Sequence, residues 1–210
     1  MKQRARDQES KEARRQQLLD AAWGLLDDAE LSQISVSDIA RAAGLAKGTT
    51  YLYFKTKEAV FLALLEREFL NWLDALEDAI GENLDFEPLV DRFCQCATQE
   101  PKLMRLAAAS NAILEQNISY EVAAQYKKTL ALALEKTGAS IDRAYPQLEQ
   151  GAGAGILVHS YALILGLWQM SEPPRVIRDV YQNEQLERFQ INFADEIKKG
   201  LTELWRGAFQ

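Results

Sequence analysis

Apolar residues recur along this chain at spacings of three and four, the period of helices that bury one face. Leu18, Ala22, Leu25, Leu26 and Ala29 form such a stripe and predict a helix over about Lys11–Ala29. A short pair of helices follows around Gly44, with Ile39, Ala40 and Ala43 as inward positions. Thr56, a good capping residue, opens a long helix that reaches about Ile80 through Phe61, Leu64, Leu65, Phe69, Trp72 and Leu76. Gly81-Glu82-Asn83 ends it. Further helices are expected over about Phe86–Thr98, Pro101–Asn117, Ser119–Thr137, Pro146–Ser171 and Glu184–Gly207. Pro101 suits a first helical position, Ser119 a helix start, and Pro173-Pro174 a stop. No stretch sustains strand alternation, and there is no internal repeat. The expected class is all-α, with about nine helices.

The short pair carries the most information. Ser35 or Ser37 can start the first helix, and Gly44 falls where it should stop, because a residue without Cβ enters the left-handed region cheaply. The second helix then presents Lys47, Gly48, Thr49, Tyr51 and Tyr53 on a largely exposed face. Two short helices joined by a glycine turn form a helix-turn-helix, whose second helix enters the DNA major groove.

Overall charge is −7, which at first argues against nucleic acid. Its distribution reverses that. Residues 1–67 carry 11 Lys/Arg against 10 Asp/Glu, whereas residues 68–210 carry 13 against 21. Acidity belongs to the C-terminal region, and a local basic surface is enough to hold phosphates. Cys94 and Cys96, two apart on a helix, face different ways and read as reduced thiols of a cytoplasmic protein. Residues 1–11 are too charged for a signal peptide and are expected to form a disordered arm. Gly151–Ser171 lacks any charge and is nominally long enough to span a membrane. Its glycines, His159, Ser160 and Gln169 instead suggest a helix buried between its own core and a partner subunit.

From about Arg14 to Phe61 the chain resembles the TetR family of bacterial transcriptional regulators. The resemblance lies in Leu18-Leu19-Asp20-Ala21-Ala22, Asp38-Ile39-Ala40-Arg41-Ala42-Ala43-Gly44, Lys47-Gly48-Thr49-Thr50-Tyr51-Leu52-Tyr53-Phe54 and Lys57-Glu58. It implies an all-helical homodimer with an N-terminal DNA-binding domain (12–56) and a C-terminal ligand-binding and dimerisation domain (57–210), the helix over 57–80 connecting them. Three positions depart from the family pattern. Ala29-Glu30 stands where a turn glycine is usual, Ala46 where a capping Ser is usual, and Thr50 where a larger apolar residue is usual. A lost cap costs about 1 kcal/mol.

The expected DNA-facing residues each have a chemical reason. Lys47 is a flexible charge for a phosphate or guanine edge, and Gly48 lets backbone approach the groove. Thr49 can hydrogen-bond a phosphate or base, Tyr51 and Tyr53 reach phosphates, and Leu52 can make apolar contact. Ser37, Thr56 and Lys57 lie at helix starts, where free N–H groups favour a phosphate. Lys2, Arg4 or Arg6 can reach the minor groove, while Phe54 should pack on the first helix.

Dimerisation is expected through Gly151–Ser171 and Glu184–Gly207 as a four-helix bundle. Gly151, Gly155 and Gly166 would allow close approach, and Phe189, Phe193, Ile197, Leu201, Leu204 and Trp205 would supply apolar surface. A small apolar effector is expected in a cavity lined by Trp72, Phe93, Met104, Asn111, Tyr126, His159 and Trp168. No cofactor or metal is expected. One histidine and no nucleophile–base pattern leave few actors for an enzyme or helical carrier. A DNA-binding protein acting through a protein partner is the other alternative.

Overall fold

A computed structural model describes residues 2–82 and 85–209, apart from the side chains of 2–8, 81, 82, 111 and 187. It is helical throughout, with no strand among the described residues. The chain divides into two compact units.

The first unit comprises residues 1–68 and 105–128. It contains α1 (Lys2–Leu25), α2 (Val36–Ala42), α3 (Lys47–Thr50) and the start of α4 (Lys57–Glu82), then the end of α6 (Pro101–Ala109) and the start of α7 (Tyr120–Ala144). Leu18, Leu19, Ala22, Leu26, Ile39, Phe61, Leu64 and Leu65 form its buried core. The expected boundary at 56 thus moves, because Arg105–Lys128 packs with the N-terminal residues. Arg105 donates to the carbonyl of Leu26 and pairs with Glu30. The turn without glycine closes through Gln33, whose backbone N–H donates to Glu30 O and whose side chain accepts from Glu30 N.

α1 starts at Lys2, so the expected disordered arm is helical. The segment is built from strong helix formers, and Glu12 pairs with Arg15 and Gln16 one turn on. Between α6 and α7 the chain loosens and then tightens, with a π-helical turn over Ser110–Leu114 and a 3-10 turn over Glu115–Asn117. The expected single helix over Pro101–Asn117 therefore ends early.

The second unit comprises residues 69–104 and 129–210. It holds the rest of α4 and α7 with α5 (Glu87–Gln99), α8 (Ala152–Ser171), α9 (Arg175–Asn183) and α10 (Phe193–Ala208). Trp205 anchors it. Its ring lies 6.1 Å from Phe93 and 6.2 Å from Tyr145, and its Nε1–H donates to Ser160 Oγ at 3.0 Å. The bond joins the middle of the uncharged helix α8 to the core of α10. Cys94 and Cys96 are half-buried free thiols, and burial raises the pKa of both.

Three expected helix boundaries shift for identifiable reasons. α7 continues through Gly138, which is a contact glycine and not a stop. α8 begins after Gly151, at φ +86°, and not at Pro146. The last expected helix, Glu184–Gly207, starts late: Gln185 sits at φ 54°, a 3-10 turn spans Glu187–Phe189, and Asn192 caps α10 by accepting from Asp195 N, while α9 before it lies outside the expected helices.

The contact between α7 and α8 is backbone on backbone. A Cβ on Gly153 would lie 2.2 Å from the Gly138 carbonyl oxygen, and one on Gly138 would lie 2.6 Å from Ala154 N. Asp142 Oδ1 accepts from Gly153 N at 2.8 Å and closes the junction. Gly153→Ala should therefore destabilise the second unit by about 1–3 kcal/mol, the usual cost of overpacking, measured by chemical denaturation.

Candidate nucleic-acid interface

The first unit builds an exposed turn on a fixed base. Ser35 caps α2 in a reciprocal box with Asp38: its hydroxyl accepts from Asp38 N, and Asp38 Oδ2 accepts from Ser35 N. The Ser35 hydrogen bonds, with Arg41 nearby, hold the Asp38 carboxyl below the usual carboxylate range. Gly44 closes α2 at φ +64°, with Leu45 N donating to Ala40 O. Gln17 of α1 donates to Ala43 O at 2.7 Å, tying this turn to α1. α3 then runs for one turn behind Ala46, which makes no side-chain cap bond, and continues as tight turns to Phe54.

On this turn Lys47, Gly48 and Tyr51 are exposed, as is Ser37 on α2, and Thr49 and Tyr53 are half-buried. Leu52 is 75% exposed. A Cβ on Gly48 would meet nothing within 4 Å, so packing within the chain does not require glycine there. Beneath them Phe54 is buried, with the Arg15 guanidinium 5.5 Å above its ring. Thr50 is fully buried and its hydroxyl has no partner.

Two expected phosphate-facing residues are occupied within the chain. Thr56 Oγ1 accepts from Ala59 N at 3.1 Å, capping α4 as expected, and donates to Asn117 O at 3.3 Å. Lys57 Nζ donates to three carbonyls, those of Leu31, Ser32 and Ile34, at 3.4, 3.2 and 3.1 Å. Lys55 is the exposed cation beside the turn that sequence reasoning missed, its Nζ 3.3 Å from Tyr51 O. The side chains of Lys2, Arg4 and Arg6 lie outside the described residues.

The second unit contains an apolar cavity of about 120 Å³. α4 lines it with Phe69, Trp72, Leu73 and Leu76, α5 with Phe93, α7 with Leu130 and Leu134, and α8 with Leu157, Val158 and Tyr161. Of the expected effector-binding residues, Trp72 and Phe93 meet here, edge to face at 5.9 Å. The others do not. Met104 is buried away from the lining, and Tyr126 lies in the first unit. His159 points to solvent, and Trp168 packs edge to face on Phe193 at 5.3 Å. The Asn111 side chain lies outside the described residues.

The expected dimer residues also separate. Ile197, Leu201 and Trp205 are wholly buried within their own unit, so that face of α10 is core and not interface. Phe193 and Leu204 are half-buried, and Phe189 stacks on Tyr181 at 5.9 Å. α8 is not buried on all sides. Gly155, Val158, His159, Ala162, Gln169 and Met170 form an uncharged stripe open to solvent, with Val158 48% and Met170 61% exposed. A Cβ at Gly151, Gly155 or Gly166 would meet nothing within 4 Å. α8 is long and apolar enough to cross a membrane by length and composition, but Ile156, Leu157, Ser160 and Ile164 bury its opposite face in the unit.

Comparison with known proteins agrees with this architecture. Residues 18–64 match the family described as bacterial regulatory proteins, tetR family, and residues 66–210 match the Tetracyclin repressor-like C-terminal domain. The HTH-type transcriptional regulator EthR of Mycobacterium tuberculosis is 44% identical over 66 residues, 31% of this chain and 30% of that protein. The fatty acid metabolism regulator protein of Bacillus subtilis is 38% identical over 66 residues, 31% of this chain and 34% of that protein. The chain thus spans about a third of the length of these relatives. The crystal structure of Thermus thermophilus FadR, a repressor in complex with lauroyl-CoA, superposes with a TM-score of 0.62 at 17% identity, covering 92% of this chain and 94% of that one.

Thr50 gives a test of the base beneath the exposed turn. Thr50→Val keeps the shape and removes the unpaired hydroxyl, so it should stabilise the first unit by about 1 kcal/mol in denaturant melts.

Proposed function

The chain belongs to the TetR family of bacterial regulatory proteins, and on that premise we propose that it is a transcriptional regulator. It binds an inverted-repeat operator as a homodimer, acts as a repressor, and is released by a small apolar effector. It is a cytoplasmic protein and not an enzyme. The observation that carries the proposal is the exposed turn from Lys47 to Tyr53. Leu52 stands out in water and Gly48 leaves room for a Cβ, neither of which serves packing within the chain. Both make sense if a groove approaches: backbone can come close at Gly48, and Leu52 can touch a thymine methyl. Lys47, Thr49, Tyr51 and Tyr53 then hold phosphates or base edges, and Lys55 adds a cation. Lys57 and Thr56 support the turn from behind.

One such unit offers too little surface for tight specific binding. A twofold dimer sets two of them about 34–36 Å apart, one helical turn of DNA. The open stripe of α8 supports the dimer, since uncharged apolar surface at helical spacing is covered at little cost by its own copy. The cavity supports the effector, as does the lauroyl-CoA bound to FadR of Thermus thermophilus, a molecule with a long apolar chain. α4 supplies Lys57–Glu68 to one unit and four cavity-lining residues to the other, so a ligand that resets α4 changes the DNA-binding arrangement. The effector must prefer the DNA-incompetent state, and the size of that preference is the coupling.

Two variants test the proposal. On a duplex bound by the wild-type chain, Gly48→Ala should weaken binding tenfold or more by fluorescence anisotropy, yet melt no lower, because alanine favours helix. Loss of stability instead would make Gly48 structural. Ala162→Arg, on the open stripe, should turn the dimer into a folded monomer by light scattering and abolish specific binding. A dimer that persists would move the interface off α8.

A further inference from the structure

The first unit contains a groove of about 570 Å³ that the DNA-reading role leaves unexplained. Ala59, Leu62, Ala63 and Glu66 form one wall, at three- and four-residue steps that put them on one face of α4. Ala59 and Ala63 are short, which leaves space above that face. Ile118, just before α7, and Val122 and Tyr126 within it form another wall at the same spacing. The walls are mainly apolar, and the volume falls in the range of small-molecule sites.

One charged group on this lining is left without a partner. Among the described residues, no hydrogen bond or ion pair reaches the Glu66 carboxylate. It is half-buried, and burial pushes its pKa up, with Arg15 opposing this only in part. The next residue shows the contrast, since Arg67 pairs with both Asp20 and Glu68. Burial acts on Glu115 of the same unit too, but hydrogen bonds from Lys127 and Ser110 hold that carboxyl below its usual range. The cations on the lining are engaged at its rim: Arg15 pairs with Glu12 and lies over the Phe54 ring, and Lys55 donates to Tyr51 O. An anion in the groove would therefore face an unpaired carboxylate, whereas a cation would offset its lost hydration.

We propose that this groove is a second ligand site, within the first unit, for an organic amine. The apolar body of the amine lies between α4 and α7, and its ammonium group donates to the Glu66 carboxylate. Apolar walls hold the body, and Glu66 selects the charge. Tyr53 and Lys55 line the same groove and belong to the exposed turn. An occupant thus acts on that turn directly, independently of the cavity in the second unit.

Hexylamine, an ammonium ion at neutral pH, and hexanol test this, since they share an alkyl chain and differ in charge. Both are titrated into the ¹⁵N-labelled full-length protein and into Glu66→Gln, which keeps the shape and removes the charge. Hexylamine should bind the wild type more tightly than hexanol, with amide shifts centred on Ala59, Ala63 and Val122. The amine-to-alcohol affinity ratio should fall about three- to tenfold in Glu66→Gln, the worth of one part-exposed charged hydrogen bond. An unchanged ratio would overturn the proposal, as would shifts centred on the second-unit cavity or no binding of hexylamine to the wild type. If Glu66→Gln does not fold, the wild type decides alone: preference for the amine at these amides supports the site, and equal affinities overturn it.

Discussion

One ammonium group ties the loop before α2 to α4 in the first unit. Lys57 stands in the first turn of α4, where the helix dipole disfavours a cation. Three carbonyls at 3.1–3.4 Å offset that penalty, drawn from the loop that precedes α2. A flexible point charge with three donors suits this convergence, which a guanidinium fork would not match. The loop is thereby fixed to α4, α2 follows under its capping box, and α3 is held by the Gly44 turn. Gln17 fastens the same turn to α1. An exposed reading surface can be only as well defined as the base beneath it, and this base is a set of backbone carbonyls bound by two side chains.

The second unit is organised by close approach instead of charge. Gly138 and Gly153 let two helix backbones touch, and Trp205 fills the space that α5, α7 and α10 leave around the middle of α8. α8 is therefore core along one side and open along the other. Packing of Trp72 between Phe69 and Phe93 leaves an apolar cavity beside that core.

The architecture was legible from local signals, whereas the candidate site depends on distant ones. The helix-turn-helix could be read because Gly44, Ser35 and Thr56 act on close neighbours along the chain. The core of α1 and α4 was legible from its period. The carbonyls that Lys57 meets were not legible because they lie 23–26 residues away, and nothing in a sequence aims a lysine at carbonyls. Ile197, Leu201 and Trp205 read equally well as core or interface, since both bury apolar stripes, and only the fold shows that they point inward. His159 follows Val158 on the same uncharged helix, yet one step turns a side chain by about 100°. That rotation leaves Val158 at the edge of the cavity and His159 off it, though both are exposed. α9 separates apolar from polar residues clearly, but it spans only nine residues directly after Pro173-Pro174, and the Gln185 turn that isolates it has no glycine.

On the proposed function, the exposed turn reads DNA in a twofold arrangement. Selection of bound duplexes from a random library, with the purified full-length protein, tests this most directly. An inverted repeat should be enriched, with half-sites about one helical turn apart, 10–10.5 bp centre to centre. A folded dimer that enriches no sequence over the input library would refute the DNA-reading role.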